Sequence, residues 1–231
     1  MDGPTLIEAG TEQEFIAQAS AFLTERIRQA IKRHGRCLLG LCGGTTVGSA
    51  YAEAGEDASI DWSRVTLFLT DERYVPADDP RSNQFLLRST ILRSAAIPDS
   101  QLLFPDTSLP LKSCIKEYAK VLGSVLGKSP PDLLVLGMGT DGHIASLFPP
   151  LNEEALGSGY ATHTTTHQFE VSDRISTTLA ALLPARESLI LLRGLEKRVV
   201  WTQMMAAAED VRRWPTHALL AAHPSTVITL W

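Results

Sequence analysis

Residues 132–150 read DLLVLGMGTDGHIASLFPP, and their parsing decides the fold. DLLVLG is a short apolar run that ends in glycine, the pattern of a buried strand. Gly137, Gly139 and Gly142 then fit G-x-G-x-x-G, the fingerprint of a dinucleotide-binding turn. That fingerprint needs its third glycine to open a helix of roughly a dozen residues, with an acidic ribose ligand about twenty residues further on. Pro149 and Pro150 end any helix here after about two turns at most. Glu153 and Glu154 come too early and in polar loop sequence. The stretch therefore reads as a strand followed by a tight loop that does not hold a dinucleotide.

The same alternation runs outward in both directions. Thr11 and Glu14 have capping-box spacing, and Phe15, Ala19, Phe22, Ile27, Ala30 and Ile31 recur near helical spacing, which predicts a helix from Glu12 to His34. RCLLGLC (residues 36–42) reads as a buried strand that meets Gly43 and Gly44, with a helix starting over residues 47–54. VTLFLT (65–70) reads as a strand, residues 82–95 as one helix with Ser82 as N-cap, and 111–126 as another helix. SLILLR (188–193) and the terminal VITLW read as strands, with a helix over 195–208 between them. Residues 151–167, polar and Thr-rich, read as a loop. Apolar strands alternating with helices predict an α/β fold: one domain over 1–231, an open, mostly parallel sheet with helices on both faces, Rossmann-like without the dinucleotide site.

Composition narrows the function. The 231 residues are 44% hydrophobic, enough for an ordinary core. A mean hydropathy of +0.02 and no apolar run of about 18 residues argue against a membrane span. The net charge of −5 argues against nucleic-acid binding through bulk electrostatics. The start, MDGPTLIEAGTEQEF, shows no signal-peptide pattern, and Cys37, Cys42 and Cys114 form no C-x-x-C pair. A reducing cytoplasm is the expected compartment.

In an open parallel sheet, ligands bind beyond the carboxyl ends of strands. Three loops fall there. In the third, Asp141-Gly142-His143 sets a carboxylate two residues from an imidazole that can take a proton near neutral pH; equally, Asp141 could cap a short helix and His143 be an ordinary packed side chain. In the first, Gly43, Gly44, Thr45 and Thr46 precede a helix and offer amides and hydroxyls to an anion or sugar, or form a plain turn with Thr as N-cap. In the second, Asp71-Glu72-Arg73 supplies a guanidinium able to clamp phosphate, or is a solvated charge run. Arg174 and Lys197 are further candidate cations. His163 and His167 have i, i+4 spacing, but the Thr run between them is a poor helix and no third ligand is evident for zinc. No G-x-S-x-G is present, and Cys42 has no assigned base.

With LCGGTTVGSAY, FLTDERYVPADDPRSNQFLL, PDLLVLGMGTDGHIASLFP, Arg174-Ile175-Ser176 and RGLEKRVVW in this order, the chain closely resembles the 6-phosphogluconolactonase family, a relative of glucosamine-6-phosphate deaminases. The resemblance implies hydrolysis of 6-phospho-D-glucono-1,5-lactone in the oxidative pentose phosphate pathway. It implies His143 as general base, oriented by Asp141, with the glycine-loop amides at the oxyanion. Arg73, Arg174 and Lys197 fall at the phosphate, and Gly43, Gly44, Thr45, Thr46, Asp71, Ser82, Asn83 and Gly139 around the sugar. No metal or organic cofactor is implied, because a δ-lactone is already reactive. The implied partner is the small substrate, with no nucleic acid or membrane, and a monomer or weak homodimer is expected.

Departures are local. Ile144 stands where lactonases more often carry Thr, and Cys42, Thr45 and Val47 replace the usual Ser, Ser and Pro. Relatives usually continue past the position of Trp231 through Leu-Asp and a small Ala-rich tail. SLFP after the D-G-H core, and DER followed by Ser82-Asn83, favour the lactonase over the deaminase branch. The alternatives are an amino-sugar-phosphate deaminase or isomerase and a non-catalytic sugar-phosphate sensor.

Overall fold

The computed structural model describes residues 3–231. Its frame is a seven-stranded sheet in which every neighbouring pair is parallel. The chain enters through β1 (Thr5–Glu8) and α1 (Glu12–His34), then β2 (Cys37–Leu41), α2 (Gly48–Gly55) and β3 (Val65–Leu69). A short β4 (Asp71–Arg73), α3 (Asn83–Ser89), α4 (Ile91–Ser94), β5 (Leu102–Leu103) and α5 (Leu111–Leu126) follow, leading into β6 (Leu133–Leu136). Next come α6 (Glu153–Leu156), β7 (Ala161–Thr165), β8 (Asp173–Thr177) and α7 (Leu179–Leu182). The chain ends with β9 (Ser188–Arg193), α8 (Leu195–Ala206), α9 (Pro215–Ala222) and β10 (Ser225–Leu230). The spatial order is β1-β10-β9-β6-β2-β3-β5, while β4, β8 and β7 form a separate antiparallel sheet.

The near-continuous apolar strands are explained by cover on both faces. Leu39, Leu41, Leu67, Leu69, Leu133, Val135, Leu189 and Leu191 point into one core with Phe15, Leu23 and Ile27 of α1 and Tyr51 of α2. Their alternates Leu38, Phe68, Leu134 and Leu136 point to the other face, against Tyr118 and Leu122 of α5 and Leu219 of α9. Ile190, Leu192 and Val227 meet Trp201 and Met204 of α8 and Trp214 on that same side. The side-chain period of two thus divides each strand between two cores.

The boundaries of α1 follow its caps. Thr11 Oγ1 accepts from the Glu14 amide at 3.1 Å, and Gly35, at φ +73°, closes the far end with its N–H on the Ile31 carbonyl. Two expectations fail. The single helix over 82–95 breaks at Thr90 (φ −120°, ψ −102°), whose hydroxyl turns back to the Leu86 carbonyl at 2.6 Å. Close packing fixes the break: a Cβ on Gly55 of α2 would lie 2.5 Å from the Ile91 carbonyl oxygen. Residues 151–167 are not simply a loop, because they contain α6 and β7. The Thr-rich run forms an outer strand of the antiparallel sheet, in a hairpin with β8, with Thr162 and Thr164 buried.

Candidate active site

From β2 the chain moves to β3 and β5 on one side, then returns through α5 to place β6 on the other side of β2. That reversal opens a crevice at the carboxyl ends of β2 and β6, the expected position for a ligand in this architecture. A cavity of about 430 Å³ lies there, bounded by the loops after β2, β3 and β6 and by β8 and α8. Gly43, Gly44, Thr45, Thr46, Asp71, Arg73, Ser82, Asn83, Gly139, His143, Arg174 and Lys197 all line it. Asp141, the remaining sequence candidate, stands behind His143.

The loop after β6 forms a compact turn and no helix, so Asp141 caps nothing. Ile144 bridges both Met138 and Leu147, and the Gly139 amide donates to the His143 carbonyl at 2.7 Å. Gly142 sits at φ +88°, which favours glycine and lets the chain reverse between carboxylate and imidazole. Asp141 Oδ1 lies 2.5 Å from His143 Nδ1 and also accepts from the His143 amide at 3.2 Å. Burial pushes the Asp141 carboxyl up, but the hydrogen bond and charge of the imidazole hold it below its ordinary value. An ionised carboxylate on Nδ1 fixes that nitrogen as the donor and leaves Nε2 as the proton acceptor. Phe148 packs on the imidazole at 4.7 Å between centroids.

The antiparallel sheet delivers the cations. Register pairs Arg73 of β4 with Arg174 of β8, so both guanidinium-bearing residues reach the cavity from adjacent strands. Burial and the neighbouring Arg73 charge both hold the Arg174 guanidinium below its ordinary value, a sign of two cations facing a common space. Arg73 Nη1 donates to the Arg81 carbonyl at 2.6 Å, while its buried Nε has no protein partner. Lys197 reaches the same cavity from α8. Its Nζ donates to the Met138 carbonyl, at the foot of the loop that carries His143. Burial lowers the Lys197 ammonium, with Asp141 pulling it back up.

The first loop carries its amides free. Gly44 is at φ +106°, and a Cβ on Gly43 would strike Asn83 Oδ1 at 1.8 Å, so glycine is needed for Asn83 to approach. Neither threonine caps the following helix, whose N-cap is Val47 without a side-chain bond. The amides of residues 43–46 make no backbone hydrogen bond among the described residues, whereas those of Gly139 and Gly142 are spent inside their own turn. Of the glycine amides, those of Gly43 and Gly44 are therefore available to an oxyanion, while those of Gly139 and Gly142 are not.

Ser82 and Asn83 have structural duties as well. Ser82 Oγ accepts from the Phe85 amide and donates to Glu72 at 2.9 Å. Asn83 Nδ2 donates to the Asp71 carbonyl at 2.8 Å, leaving its buried Oδ1 unpaired at the cavity wall. Asp71 Oδ2 accepts from Ser146 Oγ at 2.7 Å, tying the second loop to the third.

The zinc-like spacing of His163 and His167 is not helical. His163 lies on β7, with Nε2 2.8 Å from Asp173, and no cluster of three or more potential metal ligands occurs among the described residues. Cys42 is buried, and burial together with Asp71 pushes its thiol up to about 12, away from the thiolate form a nucleophile needs. Sequence reasoning missed Glu72 as a buried anchor, Phe148 and Phe169 beside the imidazole, and Arg213, which donates to the Asp141 carbonyl at 2.7 Å. The apolar Phe148 within SLFP was the one such signal near the quoted motif.

Comparison with known proteins gives the family. The family described as glucosamine-6-phosphate isomerases/6-phosphogluconolactonase matches residues 10–231. A Dictyostelium discoideum protein named a probable 6-phosphogluconolactonase is 34% identical over 94% of this chain and 93% of its own. The Pseudomonas aeruginosa 6-phosphogluconolactonase is 33% identical over 94% and 91%. The crystal structure of the Thermotoga maritima 6-phosphogluconolactonase superposes with a TM-score of 0.85 at 26% identity, covering 98% of this chain and 99% of that one. The chain belongs to the glucosamine-6-phosphate isomerase/6-phosphogluconolactonase family.

Proposed function

We propose that this chain hydrolyses 6-phospho-D-glucono-1,5-lactone to 6-phosphogluconate, the lactone-opening step of the oxidative pentose phosphate pathway, using His143 as general base. The observation that carries the reading is one cavity lined by His143, whose imidazole pairs with Asp141, and by Arg73 and Arg174 from paired strands. That arrangement suits a small molecule with a reactive carbonyl at one end and a dianionic phosphate at the other. Full-length relatives bearing the lactonase name support it.

His143 Nε2 takes a proton from water as the water oxygen bonds to the lactone carbonyl carbon. The carbonyl electrons move to oxygen, where free amides of residues 43–46 can donate. Collapse reforms the carbonyl and breaks the bond to the ring oxygen, which receives the proton from the imidazolium. Asp141 stabilises that transient charge and holds the tautomer. Arg73 and Arg174 bind the phosphate, and the Lys197 ammonium adds positive charge beside the reacting end. The unpaired Cys37, Cys42 and Cys114, all buried, suit a reducing compartment.

A coupled assay on freshly generated lactone, corrected for spontaneous opening, tests the reading. Wild-type protein is expected to accelerate opening, and H143A to lose about 100-fold or more in kcat, the usual scale for a general base, while still binding 6-phosphogluconate. Wild-type turnover retained in H143A would reject the base assignment. Ammonia release from glucosamine 6-phosphate without lactone opening would reject the substrate.

A further inference from the structure

The hairpin β7–β8 ends in the tip 166–172, closed by the Thr166 amide on the Ser172 carbonyl at 3.1 Å. Phe169 sits at this tip and is 39% exposed, yet its ring lines the cavity. It meets the His143 imidazole edge-on, with centroids 5.6 Å apart and planes at 77°. It also faces Phe148 at 6.1 Å, so two phenyl rings flank the imidazole. The guanidinium carbon of Arg174 lies 5.7 Å from the centre of the same Phe169 ring. One side chain thus touches both the base and a phosphate-facing cation.

The tip is also tethered to the second loop. Glu170 pairs with Arg81 Nη1 at 2.8 Å, and Arg81 is itself held by both oxygens of Asp79 at 2.9 and 2.6 Å. The Arg81 carbonyl accepts from Arg73. Through this chain of contacts the hairpin tip and the loop that positions Arg73 form one rim. A large apolar side chain left partly in water at such a rim has its remaining surface available to a ligand.

We infer that Phe169 is a positioning and specificity residue of this site: it braces the His143 ring, shares Arg174 with the phosphate, and covers the bound sugar against bulk water. The inference rests on the lactonase reading for its reacting atoms. An edge-to-face contact and a cation–π contact are lost together when the ring is removed.

The test compares F169A, F169L and F169Y on the 6-phosphorylated lactone and on unphosphorylated glucono-1,5-lactone. F169A is expected to lose about tenfold in kcat on both substrates, and to raise KM about fivefold on the phosphorylated one alone. F169Y is expected to stay within about threefold of wild type, and F169L to behave as F169A, because volume without an aromatic face does not replace the contacts. F169L carries the same test should F169A fail to fold. Kinetic constants of F169A or F169L within twofold of wild type on both substrates overturn the inference, as does an equal loss in F169Y. If wild-type protein opens no lactone, the functional reading fails separately. Calorimetric binding of glucose 6-phosphate then decides the Phe169 role, with about fivefold weakening in F169A expected and unchanged affinity overturning it.

Discussion

Glu72 lies at the midpoint of the D-E-R triplet and has no accessible surface. Its Oε1 accepts from the amides of Arg73 and Asn83, both at 2.7 Å, and its Oε2 from the Gln84 amide at 2.8 Å and from Ser82 Oγ. One carboxylate thus gathers the start of α3 and the backbone of Arg73, and fixes two walls of the cavity. Burial raises its ionisation from 4.5 to about 7, against the pull of those four donors. Between those two pH values the folded chain keeps a proton that the unfolded chain has released, so Glu72 withdraws stability as pH rises and the full loss is present above about 7. E72Q cannot ionise, although its amide leaves one buried donor facing another at a cost of about 1–3 kcal/mol. Urea unfolding of both proteins is expected to show the wild-type advantage shrinking from pH 5 to 7 and levelling above 7.5. A pH-independent difference would mean that Glu72 is ionised throughout. From sequence, the triplet reads equally as a solvated charge run, because burial of its middle member depends on β4 pairing with β8 about a hundred residues away.

At the scale of elements, the loop after β6 is shaped by a segment remote in sequence. Trp214, buried, lies beneath Gly142, where a Cβ would come within 2.6 Å of its ring. Arg213 stacks on that indole at 3.7 Å and reaches the Asp141 carbonyl, while Arg212 binds the Leu151 carbonyl at 2.8 Å. The segment 210–214 therefore grips the loop that presents Asp141 and His143 from outside the cavity. R213A removes one hydrogen bond and one exposed cation–π contact, together about 1–2 kcal/mol. Steady-state kinetics are expected to show kcat reduced about fivefold to tenfold with KM within twofold, and a melting temperature lower by about 2–8 °C. A rise in KM with kcat intact would instead place Arg213 in substrate binding. The D-G-H motif was legible because glycine and proline punctuate it and exclude a long helix. Its support was not, since 210–214 carries no periodicity and its partners are some seventy residues away. The same limit hid β7, whose threonines read as loop until β8 covers them, and Phe169, an isolated ring in a polar run. The strongly periodic α1 and α5 and the apolar strands β2, β3, β6 and β9 were visible because their pattern is set by burial alone.

Across the whole molecule, the two ends of the chain meet in one half of the sheet, and they carry unequal weight there. β10 lies between β1 and β9, hydrogen-bonded on both sides, with Val227, Ile228 and Thr229 fully buried. β1 is the outer strand, pairs only with β10, and is mostly exposed. Burying each large aliphatic side chain contributes about 1.5–3 kcal/mol, and a domain's net stability is about 5–15 kcal/mol. Removing residues 225–231 strips several such side chains, leaves β9 with an open apolar edge and detaches β1. That deletion is expected to abolish the cooperative thermal transition. Removing residues 1–9 takes away one edge strand and the partly buried Ile7, a loss of about 1–3 kcal/mol. For a chain of this size that corresponds to a melting temperature lower by less than about 10 °C. The cavity at β2 and β6 lies on the far side of β9 and β10 from β1, so kcat in the shortened protein is expected to match that of the full chain. Calorimetry and the lactone assay on the two deletions check both halves. A folded, active protein without residues 225–231 would show that the sheet closes its core at β9, and loss of activity without residues 1–9 would show that the edge strand reaches the site through β10.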